Sequence, residues 1–228
     1  RFSPSRRRVL ADVFERRDPY LGVRPVDPKP VFNSYGSQCA ASLMSEIMAR
    51  LDAPPKVVVE VGTFVGSAVR RVWGPLVKRG GSGLVLCVDT WQGTIGMRLR
   101  SKEYYLRLQH GMPSVYNSFM TNMINSGLQD TVLPLAMASI EGARLLWVLG
   151  YQVDVVYVDS AHERGETAIE LYMYWQLLRS GGVLLGDDLD FKAVNRDVRV
   201  FAECVGAELH VFCNKKNPAA AQWIIKKP

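Results

Sequence analysis

The sequence predicts a doubly wound α/β fold: a mostly parallel seven-stranded sheet with helices on both faces and a C-terminal antiparallel hairpin. Three observations predict it. The first is a set of strand-length apolar runs, "KVVVEVG" (56–62), "LVLCVD" (84–89), "TVLPLAM" (131–137), "VDVVYVD" (153–159) and "VLLGDD" (183–188). Continuous β-branched runs of this kind mark strands buried on both faces. The second is that stretches with helical spacing separate them, and such alternation builds parallel sheets with crossover helices. The third is the pair "ELHVFCN" and "AQWIIKK" at the chain's end, two strands close enough for a hairpin.

The elements follow in order. Residues 1–36 are Pro- and Arg-rich with weak periodicity, and read as a basic, irregular arm holding a short helix at Arg8–Arg16. Residues 37–228 read as one domain. A helix is expected over Gln38–Leu51, where "DAPP" stops it, and another over "SAVRRVWGPLVKRG" after the first strand. "VYNSFMTNMINSGL" and "SIEGARLLWVLG" flank the third strand as helices. "ERGETAIELYMYWQLLRSGG" follows the fourth, with Ala168, Leu171, Tyr172, Trp175 and Leu178 as its buried stripe and the glycines as terminator. "AVNRDVRVFAECVG" is the helix after the fifth strand.

Composition narrows the class. Hydrophobic content of 48% and charged content of 22% are ordinary for a soluble domain. No apolar run approaches the roughly 20 residues of a membrane span, and no signal-peptide pattern is present. The four cysteines, Cys39, Cys87, Cys204 and Cys213, lack metal-ligand spacing and suit a reducing, cytoplasmic compartment. The chain opens on Arg1 rather than Met, which leaves room for an upstream targeting segment. The net charge of +6 lies at the ends: residues 1–30 hold eight Lys/Arg against four acids, and residues 214–228 hold four Lys and no acid. At the N-terminus "RFSPSRRR" suits an acidic partner, nucleic acid or an acidic membrane surface, but the plainer reading is a solvated tail.

In doubly wound sheets, ligands bind beyond the carboxyl ends of the strands. After the first strand, "EVGTFVGS" (60–67) sets Gly62 and Gly66 four apart in a strand–turn–helix context. Gly62 permits a sharp turn, and Gly66 lets a ligand or a helix approach closely. Glu60 replaces the first glycine of the dinucleotide fingerprint. An acid there repels a pyrophosphate but suits an ammonium or sulfonium. Asp89, ending the second strand, can accept bonds from ribose hydroxyls. Together these residues fit S-adenosylmethionine; the plainer alternative is that the acids cap helices and the glycines only turn the chain. Beyond the fourth and fifth strands lie Asp159 and the pair Asp187–Asp188. Neighbouring strand ends are about 4.8 Å apart, so three carboxylates there can share a hard cation such as Mg²⁺, Ca²⁺ or Mn²⁺. Helix capping and an Asx turn are the structural alternatives. His162, three residues past Asp159, is the candidate general base, or else a surface residue of a first helical turn.

With these motifs in place, residues 38–228 resemble class I S-adenosylmethionine-dependent methyltransferases through "VVVEVGTFVGS", "VLCVDTW", "VYVDSAH", "GGVLLGDDL" and the terminal hairpin. More narrowly, the chain looks like the metal-dependent macrocin/mycinamicin-type sugar O-methyltransferases. Their Asp-Asp pair and "DTWQG"-like stretch match better than the Asp-Asn of catechol-type enzymes. The resemblance implies that Gly62, Thr63, Gly66 and Ser67 hold the methionine end and Asp89 the ribose, that Ser139 lies against the adenine, and that Thr90 is a further cofactor-binding residue. It implies that Asp159, Asp187 and Asp188 bind Mg²⁺ and that His162 serves as base. The implied activity is methyl transfer to a hydroxyl of a small polar acceptor: a sugar, a glycosylated natural product or another vicinal diol. A homo-oligomer is compatible with this. Two alternatives remain, a nucleic-acid methyltransferase and a non-catalytic cofactor-binding protein. The first lacks a [DN]PP[YF] motif, having "DSAH" after the fourth strand. An oxidoreductase is weaker still, because no GxGxxG occurs.

Overall fold

β-Branched side chains pack well on a pleated surface, and all five apolar runs are strands in the computed structural model, which describes residues 1–25, 40–94, 97–98, 108–160, 162–214 and 217–228. They are β1 (Val57–Val61), β2 (Leu84–Asp89), β5 (Val132–Ala136), β6 (Val153–Val158) and β7 (Leu178–Gly186), completed by β8 (Leu209–Asn214) and β9 (Asn217–Lys226). A separate two-residue pair, β3 (Leu108–Gln109) and β4 (Met112–Pro113), lies between β2 and β5 in sequence. The order across the large sheet is β5-β2-β1-β6-β7-β9-β8. All pairings from β5 to β7 are parallel, and β9 runs antiparallel to both β7 and β8. The order reverses between β1 and β6, which fixes where a ligand crevice opens.

Side chains on β1 alternate between the faces with the period of two that a strand imposes. Val57, Val59 and Val61 join one apolar cluster, and Val58 joins the other. Helices α5 (Ser139–Val148), α6 (Glu166–Trp175) and α7 (Lys192–Val205) cover the first face. The second face is covered by α2 (Ala40–Met48), a π-helical turn at Val69–Trp73 running into α3 (Gly74–Arg79), and α4 (Val115–Asn125). The expected helix start at Gln38, the cysteine at position 39 and the boundary at 36/37 lie outside the described residues.

Two expectations are corrected. The helix after β6 ends at Trp175 instead of running to the glycines, and Leu178 already belongs to β7, paired with Val153. Leu177 and Leu178 prolong the apolar helical period, but sheet pairing claims them. Of the expected stripe, Leu171 and Trp175 are buried while Tyr172 stays 44% exposed. The second correction concerns the N-terminal segment, which docks rather than waving in solvent. Its helix α1 spans Arg6–Val13, begins under a Ser5 cap, and buries Val9 completely in the first cluster. Phe2 bridges to Tyr151, Arg6 pairs with Asp18 at 2.8 Å, and Tyr20 reaches the second cluster.

Candidate active site

The site is built by the turns that follow β1, β2, β5, β6 and β7. After β1 the chain turns at Gly62 (φ +86°), where a Cβ would overlap the Asp159 carbonyl at the end of β6. Only glycine allows those two strand ends so close. Gly66 (φ +82°) serves a different purpose: a Cβ there would lie 2.5 Å from Met123 Cε and 3.2 Å from Phe119. Of the two approaches its sequence left open, the helix, α4, is the one the structure shows.

Asp89 organises this turn. Its Oδ2 accepts from the Phe64 N–H at 2.7 Å and its Oδ1 from the Trp91 N–H at 2.6 Å. Trp91 returns the contact, its indole N–H donating to the Phe64 carbonyl at 2.6 Å. Phe64 and Trp91 both have positive φ, +50° and +53°, a conformation that costs energy outside glycine and persists where its surroundings enforce it. Sequence reasoning placed Trp91 in the "DTWQG" stretch but gave it no role of its own. Burial pushes the Asp89 carboxyl up, and the surrounding N–H donors pull against that.

Glu60 is 2% exposed, and its Oε2 has no hydrogen-bond partner among the described residues. Burial, reinforced by Asp159 and Asp89, holds its carboxyl well above the usual range. Thr63 and Ser67 are buried beside it, while Thr90 is exposed at the rim. All of these line one cleft of about 920 Å³, which extends over Ser139 and on to Asp159, Asp187 and Asp188. Gly66 is the one candidate residue outside that lining.

The acids at the β6 and β7 ends divide into two groups. Asp159, Asp188 and His162 each offer a ligand atom within 4.8 Å of the others. Asp188 has φ +61°, a left-handed turn that Asp tolerates better than most residues. Its Oδ2 lies 2.5 Å from His162 Nε2. Asp187 is occupied differently. Its Oδ2 accepts from Tyr157 and Gln222, at 3.4 and 3.3 Å, and its Oδ1 from the Asp188 N–H at 3.0 Å. Burial raises the Asp159 carboxyl strongly, and Asp188 and Asp187 raise it further. The Asp188 hydrogen bond lifts the His162 imidazole above its usual value, against burial. Phe191 packs on the His162 ring, centroids 4.7 Å apart, and lines the same cleft. Glu163 does not line the cleft.

The residues fit both implied groups. A buried carboxylate with an orphaned oxygen beside a Cβ-free turn suits a cationic nucleoside, and two carboxylates suit a hard divalent cation, with an imidazole next to them as a base. Fold and site together define a doubly wound α/β protein whose crevice lies at the switch point of its sheet. A family profile described as a methyltransferase domain matches residues 59–189, more than half of the chain. The chain belongs to this methyltransferase-domain family. No curated protein matches its sequence.

Solved structures share the fold at low identity. An O-methyltransferase from Bacillus cereus in complex with SAH has a TM-score of 0.59 at 13% identity, covering 87% of this chain and 84% of that one. The O-methyltransferase TomG from Streptomyces achromogenes, involved in tomaymycin synthesis, has a TM-score of 0.54 at 17% identity, covering 82% and 78%. CalS11, a TDP-rhamnose 3'-O-methyltransferase of calicheamicin biosynthesis, has a TM-score of 0.51 at 17% identity, covering 79% and 76%.

Proposed function

We propose that the protein is an S-adenosylmethionine-dependent O-methyltransferase that uses a divalent cation and acts on a hydroxyl of a small polar acceptor. The acceptor class is a sugar, a glycosylated natural product or another vicinal diol. The observation that carries this reading is one cleft joining Asp89 and buried Glu60, whose Oε2 has no hydrogen-bond partner among the described residues, to the Asp159–His162–Asp188 trio. The O-methyltransferases of similar fold support oxygen as the acceptor atom, and CalS11 supports a sugar.

When bound, S-adenosylmethionine supplies a methyl group activated by its sulfonium, and a divalent cation lowers the pKa of an acceptor hydroxyl. Glu60 offers its charge to the cationic end of the donor in a low-dielectric pocket. The Gly62 turn lets the donor lie against backbone, and Asp89, which lines the same cleft, is the acceptor for ribose hydroxyls. Asp159 and Asp188 are the cation ligands, with Asp187 beside them as a further carboxylate. His162 takes the proton of the acceptor hydroxyl once its Nε2 is released from Asp188.

The test is turnover of labelled S-adenosylmethionine with a panel of polyols and glycosides. A chelator should abolish turnover and added Mg²⁺ or Mn²⁺ restore it. Asp188→Asn, which keeps a residue tolerant of the left-handed turn and removes the charge, should weaken cation binding or turnover by about 10–100-fold. Full activity in chelator would sink the metal role, and absence of S-adenosylhomocysteine binding would sink the donor reading.

A further inference from the structure

The buried acid Glu170 has no part in the chemistry above. It sits on α6, is 3% exposed, and lines the cleft between its donor and cation ends. Its Oε2 accepts the Ser160 hydroxyl at 2.7 Å, and the Ser139 hydroxyl also donates to it. A carboxylate is acceptor-only, so both serines are held as donors. Ser139 starts α5 directly after β5, and the Tyr174 hydroxyl fixes its carbonyl at 2.8 Å. Ser160 follows Asp159, in the segment packed on the Gly62 turn. One side chain therefore ties the β5 end, beside the adenine position, to the β6 end, which carries Asp159 and leads to His162.

We propose that Glu170 is a positioning residue that sets the donor pocket and the cation trio through this double serine contact. The proposal rests on the donor and cation assignments above. A shared strut means that removing it disturbs both ends of the cleft at once, and supporting contacts of this kind are worth about 10–100-fold in metal affinity.

The experiment measures S-adenosylhomocysteine and Mn²⁺ dissociation constants on the full chain, far below its melting temperature. Glu170→Ala should weaken both constants by about 10–100-fold, and Glu170→Gln, which keeps two polar atoms for the serines, should recover part of each loss. Should Glu170→Ala fail to fold, Ser160→Ala removes one of the two bonds with little change in volume, and the same two constants are read. Unchanged constants, or a change in only one of them, overturn the proposal. Wild-type protein that binds no S-adenosylhomocysteine would instead sink the donor pocket itself, so the two failures are distinguishable.

Discussion

A carboxylate oxygen buried without a partner is costly to a fold, and Glu60 Oε2 has none among the described residues. The native Glu60 carboxyl holds a proton more tightly than the unfolded chain does. The native state therefore binds more protons above the unfolded value of about 4.3, and stability falls as pH rises from there. Glu60→Gln removes that dependence. Its melting temperature should gain on wild type as pH is raised from about 4 to about 8, while its affinity for S-adenosylhomocysteine drops. Parallel melting profiles would show that Glu60 is not held high. Asp89 and Asp159 were legible in the sequence because each closes a continuous apolar run, and Glu60 because it interrupts one a residue before β1 ends. The pairing of His162 with Asp188 was not, since it depends on a left-handed turn and two side chains meeting across neighbouring strands. Glu170 was overlooked because a lone acid on a helix normally faces solvent.

Among the elements, α1 and the residues around it behave as a clasp. Val9 enters one apolar cluster and Tyr20 the other, and Arg6 bonds the Gln129 carbonyl just ahead of β5, the strand at one edge of the sheet. Docked segments of this kind shield strand edges from unwanted pairing. Asp12 pins the clasp by accepting the Tyr151 hydroxyl at 2.8 Å, and Asp18 braces it from within through Arg6. The Arg8 hydrogen bond holds Asp12 below the usual carboxylate range. Burial alone would raise Asp18, but the Tyr20 N–H and the Arg6 guanidinium outweigh it and hold it low. Lowered native values mean these contacts are fully present above the unfolded pKa of about 3.9 and are lost as pH falls below it. Limited proteolysis by an acid-active protease should therefore cut within residues 1–25 faster below about pH 4 than above it, before the sheet itself is attacked. Equal rates would argue that apolar packing alone holds the segment. The sequence hid this docking because single anchors, Val9 and Tyr20, leave no periodicity. The end of α6 was hidden for the opposite reason: Leu177 and Leu178 extend a helical period, while the pairing with Val153 is a long-range contact invisible in a local pattern.

For the whole molecule, the reversal of strand order between β1 and β6 explains why one crevice collects residues from five turns. The regular alternation of apolar runs and helical stretches made that layout readable from the sequence, including the closing hairpin. The position of β9 between β7 and β8, rather than at the edge, came from the structure. Ile224 on β9 is fully buried, so Ile224→Ala should cost about 2–5 kcal/mol, read as a shift in urea midpoint at unchanged slope. A cost well below that range would mean the sheet closes without this strand's packing.

That insertion also bears on biosynthesis. β7 gains its second neighbour only when residues 223–226 are available, since Val183–Gly186 pairs with Trp223–Lys226. A ribosome making this chain N-terminal first exposes the β7 edge until those residues emerge, and the sheet cannot be finished while they are still inside the exit tunnel. Arrest at residue 216 should leave a nascent chain that chaperones hold, whereas release past residue 226 lets the last strand slide between its two partners and complete the fold.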